Sequence, residues 1–198
     1  MVEISAKMVK ELREETGAGV LDCKQALEAC NGDFGQAATY LREKGMAAAA
    51  KRSTREATEG IVGSYIHAGS RAAALVEVNC ETDFVANTDQ FQELAHDLAM
   101  QVVAAKPLYL TRADVPAGLV EEEKSVYRAQ MADSGKPEAI LDKIVEGKLA
   151  KFYEEICLME QPFIKDTAIT VQELVQQHNA LLGENIVVRR FARFEIGG

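Results

Sequence analysis

Gly60-Ile61-Val62-Gly63-Ser64-Tyr65-Ile66-His67-Ala68 and Ala72-Ala73-Ala74-Leu75-Val76-Glu77-Val78-Asn79-Cys80 flank the pair Gly69-Ser70. Both runs are rich in Val, Ile, Leu and Ala and meet at turn-forming residues, which predicts a β-hairpin. Near the end of the chain Ile186, Val188, Ala192, Phe194 and Ile196 recur at period two, predicting a strand with one buried face. Arg190 interrupts that face, as a bulge or an edge position would.

Four helical patterns separate these strands. Phe91, Leu94, Ala95, Leu98 and Val102 line the first, with Asn87 and Gln90 as its cap. The second runs from about Pro116 to Asp133 and carries Glu121-Glu122-Glu123, read as a solvated surface. The third starts at Pro137 and repeats Leu141, Val145, Leu149, Phe152 and Ile156. Thr170 and Glu173 frame the fourth as a capping box, with Ile169 and Leu174 as staple. Its apolar face is Leu174, Val175, His178, Leu181 and Leu182, and Gly183 ends it. A small antiparallel sheet with helices on one side is an α+β core.

Upstream of the hairpin, three short helices form a separate module. Ser5 caps the first, Ile4 and Val9 staple it, and Gly17 ends it in a left-handed conformation. The second carries Val20, Cys23, Leu27 and Cys30 at helical spacing and stops at Asn31-Gly32. Asp33-Phe34-Gly35-Gln36 opens the third, Phe34, Ala37, Ala38 and Leu41 line it, and Gly45 is read as its stop. The Ala-rich segment after Gly45, with Lys51, Arg52 and Arg55, reads as a linker with helical tendency. The expected division is a three-helix module over 1–45, a linker over 46–58 and an α+β core over 59–198.

Composition narrows the function. The chain has 198 residues, 47% of them apolar, which is globular rather than disordered. Lys and Arg number 22 against 31 Asp and Glu, a formal charge of -9 that argues against a dedicated nucleic-acid binder. Residues 1–58 carry 9 basic and 9 acidic side chains, so the excess acid lies in the core. No apolar run reaches the roughly 20 residues that span a bilayer. Met1-Val2-Glu3-Ile4 has no signal-like character, so a cytoplasmic location is expected. The four cysteines show no CxxC spacing, and Cys23 and Cys30 are read as small buried thiols. No P-loop, G-x-S-x-G or H-E-x-x-H motif occurs, so no catalytic residue, metal site or cofactor is expected. His178 on its apolar face reads as a core group.

Glu81-Thr82-Asp83-Phe84-Val85-Ala86-Asn87 breaks the local pattern, because a Phe-Val pair in a polar loop needs a core or a partner to bury it. Spacing alone favours Phe84 tucked beneath the following helix.

Two long stretches are similar to the signatures of the elongation factor Ts family: Leu12-Arg13-Glu14-Glu15-Thr16-Gly17-Ala18-Gly19-Val20-Leu21-Asp22-Cys23-Lys24 and Glu77-Val78-Asn79-Cys80-Glu81-Thr82-Asp83-Phe84-Val85. Lys106-Pro107, Ser134-Gly135-Lys136-Pro137, Gln161-Pro162-Phe163 and Phe191-Ala192-Arg193-Phe194-Glu195 fit the same family in order. The resemblance implies a ubiquitin-associated-like three-helix module and a guanine-nucleotide exchange factor, not an enzyme. It implies that Thr82, Asp83, Phe84 and Val85 enter the G domain of elongation factor Tu beside its magnesium and phosphates and promote GDP release. It also implies docking by the N-terminal module through Leu12, Arg13, Gly17, Gly19, Val20 and Leu21. Val20-Leu21 stand where the best-known family pattern has Met-Met, keeping an apolar but stiffer surface. Long members of the family carry two core halves and this chain shows one, which implies a homodimer binding two Tu molecules. The dimer surface is expected on the sheet or on the long helix with Leu149 and Phe152.

Two other readings stand beside this one. A passive adaptor would use the three-helix module without affecting nucleotide. A ribosome- or RNA-associated protein would draw on Lys51, Arg52, Arg55, Arg189, Arg190 and Arg193, although stacking aromatics are missing around them.

Overall fold

The structure, a computed structural model, describes residues 4–131 and 137–197. Three helices, α1 (Ala6–Thr16), α2 (Val20–Ala29) and α3 (Phe34–Arg52), precede β1 (Glu59–Ile66) and β2 (Ala72–Cys80). Then follow α4 (Asp83–Ala86), α5 (Asp89–Ala105), α6 (Ala117–Ala129), α7 (Glu138–Ile156), β3 (Pro162–Phe163), β4 (Asp166–Thr170), α8 (Val171–Leu182) and β5 (Val187–Glu195). The sheet order is β1-β2-β5, with β3 and β4 as a separate antiparallel pair. This is the α+β class expected. The predicted end of α6 at Asp133 and the Ser134-Gly135-Lys136 stretch lie outside the described residues.

By contacts the chain groups into two compact units. The first comprises Met1–Ile61, Val78–Leu94 and Val175–Val188; the second comprises Val62–Glu77, Ala95–Leu174 and Arg189–Gly198.

In the first unit the three-helix core is Val9, Leu12, Cys23, Ala26, Leu27, Ala37 and Leu41, with Ile4 and Phe34 packed against it. The caps are local and as expected. Ser5 Oγ accepts from the Met8 N–H, and Asp33 accepts from the Gln36 N–H and side-chain amide. Gly17 is left-handed at φ 68° and its N–H donates to the Arg13 carbonyl. Gly45 does not stop α3, which continues through the alanine run to Arg52. Alanine propagates a helix better than any other residue, and the glycine serves close packing instead. A Cβ on Gly45 would lie 2.9 Å from the Ala180 Cβ on α8. Arg52 is likewise not a solvated linker residue, since its guanidinium donates to the Asn179 carbonyl at 2.9 Å.

The β1–β2 hairpin turns through Gly69 (φ 86°) and Ser70 (φ 54°), with the His67 N–H donating to the Ala72 carbonyl. Gly63 lets β1 approach α5, where a Cβ would sit 2.4 Å from the Ala95 carbonyl oxygen. Along β2 the residues Ala74, Val76, Val78 and Cys80 are buried in strict alternation. Thr88 rather than Asn87 caps α5, its hydroxyl accepting from the Phe91 N–H. The capping box at α8 is formed: Thr170 N–H donates to Glu173, and the Glu173 N–H donates back to Thr170 Oγ.

The predicted buried face of β5 holds only for Ile186 and Val188. Ala192, Phe194 and Ile196 are exposed, because two consecutive outward arginines, Arg189 and Arg190, shift the phase and turn Phe191 and Arg193 inward. Arg190 pairs with Glu77 at 2.6 Å. Leu149 is buried and Phe152 half-buried against the Val115, Ile156 and Cys157 cluster, so neither lies free on the surface. Val62, Ile66, Leu75 and Phe194 on the three strands, and Ile196 just after β5, are instead exposed apolar side chains beside the Arg190–Glu77 pair.

Candidate functional site

The segment following β2 turns into a single helical turn. Thr82 is extended (φ -131°, ψ 153°) and caps α4, accepting from the Val85 N–H at 3.4 Å. One turn cannot sustain itself, since nucleation fixes several dihedrals for little hydrogen bonding. The brace comes from the loop after α8. Glu184 accepts from the N–H groups of Glu81 and Thr82, at 3.0 Å each, and from the Thr82 hydroxyl at 2.5 Å. Asn185 donates its N–H to Glu81 (2.7 Å) and its side-chain amide to the carbonyls of Arg55 (2.8 Å) and Ser53 (3.4 Å). Arg55 also pairs with Glu81 at 3.4 Å. The loop, the end of α3 and the turn after α8 are thereby tied within one unit.

On this turn Ala86 is buried and Val85 half-buried, while Asp83 points to solvent. Phe84 is 82% exposed, the most exposed of the large apolar side chains among the described residues. It is not tucked under the following helix as spacing favoured. With Ala86 directed inward and Thr82 fixed as cap, Phe84 is carried to the outside of the turn.

The N-terminal residues singled out from the sequence also lie in the first unit. Leu12 sits fully in the three-helix core, Gly17 and Gly19 form the α1–α2 turn, and Val20 and Leu21 are exposed at the start of α2. A groove of about 520 Å³ is lined by Ile4, Val9, Lys10, Arg13, Val20 and Leu21. It has an apolar floor and a basic rim. Glu184, Asn185 and Asn179 escaped sequence reasoning. The only local signal near them is Gly183 ending α8.

Among the described residues no group of three or more His, Cys, Asp and Glu side chains could hold a metal, and no helix is long and apolar enough to cross a membrane. Burial, with the Glu184 charge adding to it, pushes the Cys80 thiol up to about 11. Burial likewise pushes the Cys157 thiol up to about 11, followed by Glu160. A raised thiol pKa leaves little reactive thiolate at neutral pH. Ellman's reagent is therefore expected to label half-buried Cys30 first in the native protein, and Cys23, Cys80 and Cys157 only after unfolding. Fast labelling of Cys80 would contradict this packing.

Fold and loop define an α+β protein that displays an aromatic side chain on a braced surface turn. Comparison with known proteins makes that class specific. The family described as "Elongation factor TS" matches residues 6–198. The chain is 57% identical to "Elongation factor Ts" of Carboxydothermus hydrogenoformans over 194 residues, covering 98% of this chain and 89% of that protein. It is 57% identical to "Elongation factor Ts" of Herpetosiphon aurantiacus over 196 residues, 99% of both chains. The chain belongs to the elongation factor Ts family, a family of translation elongation factors.

Proposed function

We propose that this protein is a guanine-nucleotide exchange factor that promotes GDP release from elongation factor Tu. The observation that carries the reading is Phe84, held in water on a capped and braced turn beside exposed Asp83. A rigid aromatic of this kind is the typical anchor of an interface hot spot. Phe84 enters the partner's G domain, and Asp83 competes for the hydrogen bonds and water shell around magnesium and phosphate. Thr82 and Val85 set the turn.

Residues 1–45 act as the docking module, with 46–58 as the connection to the 59–198 core. Arg13, Val20 and Leu21 provide its contact surface, shaped by buried Leu12 and by the turn glycines Gly17 and Gly19. Coupling is reciprocal: a factor that weakens GDP binding is itself weakened by GDP to the same degree. A thousandfold faster release needs about 4 kcal/mol from the barrier, within reach of a few buried anchors and one weakened metal contact. The factor works without a cofactor or a substrate of its own, in the cytoplasm.

Two copies pair as a symmetric dimer, each binding one Tu. Of the two surfaces considered, the sheet is favoured, since it exposes Val62, Ile66, Leu75, Phe194 and Ile196 while Leu149 and Phe152 are engaged in packing. The RNA-associated reading loses ground for the same kind of reason. Arg190 pairs with Glu77, Arg193 with Glu195, and Arg52 with a backbone carbonyl. The decisive experiment is release of fluorescent GDP from purified Tu with and without this protein. Release at the spontaneous rate rejects the exchange reading.

A further inference from the structure

We propose that Glu184 is the positioning residue of the exchange loop, holding Thr82-Asp83-Phe84-Val85 in the geometry that acts on the partner. The inference rests on the exchange reading above. Glu184 lies about a hundred residues along the chain from the loop, yet its carboxylate takes three hydrogen bonds from two consecutive loop residues. One oxygen takes both backbone N–H groups and the other takes the Thr82 hydroxyl. Hydrogen bonds to a charged acceptor are about twice as strong as neutral ones.

The hydroxyl bond has a directional consequence. With its proton given to Glu184, Thr82 Oγ presents lone pairs, and one of them accepts from the Val85 N–H. Glu184 therefore sets the polarity of the cap that closes α4, and α4 carries Phe84 outward. The neighbouring Asn185 anchors the brace itself, through Glu81 on one side and the carbonyls of Ser53 and Arg55 on the other. Asn185 is buried, and Glu184 is half-buried behind the turn. Its effect on the partner passes through the loop.

The test measures GDP release from Tu across a range of factor concentrations for wild type, Glu184→Ala and Glu184→Gln. Amide hydrogen exchange at Glu81 and Thr82 and thermal unfolding are followed in parallel. Glu184→Ala is expected to lower the maximal release rate about tenfold while the half-saturating concentration moves less than about twofold, because the N-terminal groove is untouched. Its amides at Glu81 and Thr82 lose protection. Glu184→Gln keeps a carbonyl acceptor for those N–H groups but sets an amide donor against the Thr82 hydroxyl, and is expected to recover part of the rate.

A Glu184→Ala protein with an unchanged maximal rate overturns the proposal. Equal losses in both variants, accompanied by a lower melting temperature, also overturn it by making the residue a general stabiliser. If wild type itself fails to release GDP, the exchange reading fails, and the hydrogen-exchange arm still decides whether Glu184 braces the loop. Unchanged protection at Glu81 and Thr82 in Glu184→Ala rejects the brace.

Discussion

On the proposed exchange activity, Phe84→Ala is expected to lower factor-stimulated GDP release from Tu by about a hundredfold or more, with the folded state unaffected. The ring is 82% exposed in the free protein, so truncating it removes almost no internal packing. Surface substitutions of this kind change stability by no more than about 0.5 kcal/mol. Burying a phenyl ring against a partner contributes about 2–3 kcal/mol through area alone, and centrally placed aromatic anchors cost about 2–4 kcal/mol when truncated. Three kcal/mol corresponds to somewhat over two powers of ten. Stopped-flow release of labelled GDP gives the rate, and urea unfolding gives the stability. A variant with normal release and normal stability removes Phe84 from the mechanism. Loss of both together would mean that the ring packs within its own chain, contrary to its exposure.

If two copies pair through the sheet as proposed, Phe194→Asp is expected to convert the dimer into monomers. Phe194 lies on β5, at the edge of the β1-β2-β5 sheet, among exposed Val62, Ile66, Leu75 and Ile196. In a two-fold symmetric pair each substitution is present twice, once from each copy. Losing roughly 3 kcal/mol of burial per copy removes about 6 kcal/mol, more than ten-thousandfold in dissociation constant. The buried carboxylate adds a further desolvation cost. Sedimentation velocity at micromolar concentration reads the change directly. A wild-type protein that sediments as a monomer, or a Phe194→Asp protein that stays dimeric, rejects the sheet-to-sheet pairing.

Features decided within a few residues were legible in the sequence, and those decided across the chain were not. Ser5, Asp33 and the Thr170–Glu173 box cap helices through partners three positions away, so their residue types suffice. Gly45 misled because a glycine after a helical pattern commonly marks its end. Its actual role depends on Ala180, far along the chain. The strand period identified β5 but not which of its side chains meet the core, since the phase shift at Arg189 and Arg190 depends on the sheet edge and on Glu77. The β3–β4 hairpin was invisible because Pro162–Phe163 is too short to show a period.

The candidate loop divides in the same way. Thr82 as a cap is a local property, and the motif around it was recognisable. The outward course of Phe84 was not, because it follows from Ala86 turning inward and from a carboxylate supplied by the far end of the chain. Nothing in the spacing around Glu184 distinguishes it from any solvated glutamate.

The neighbourhood of Phe84 governs how the protein behaves between encounters. A bare phenyl ring in water is a nucleus for indiscriminate sticking, because any passing oily surface is a sink for it. Here Asp83 precedes the ring, Glu81 and Asp89 lie close on either side along the chain, and the molecule as a whole is anionic at -9. Like charge keeps copies of the loop apart, and the short turn offers no strand edge for another chain to extend. The ring stays solvated and available, and yields only to a surface that supplies both an apolar slot and a counterpart for the adjacent carboxylate.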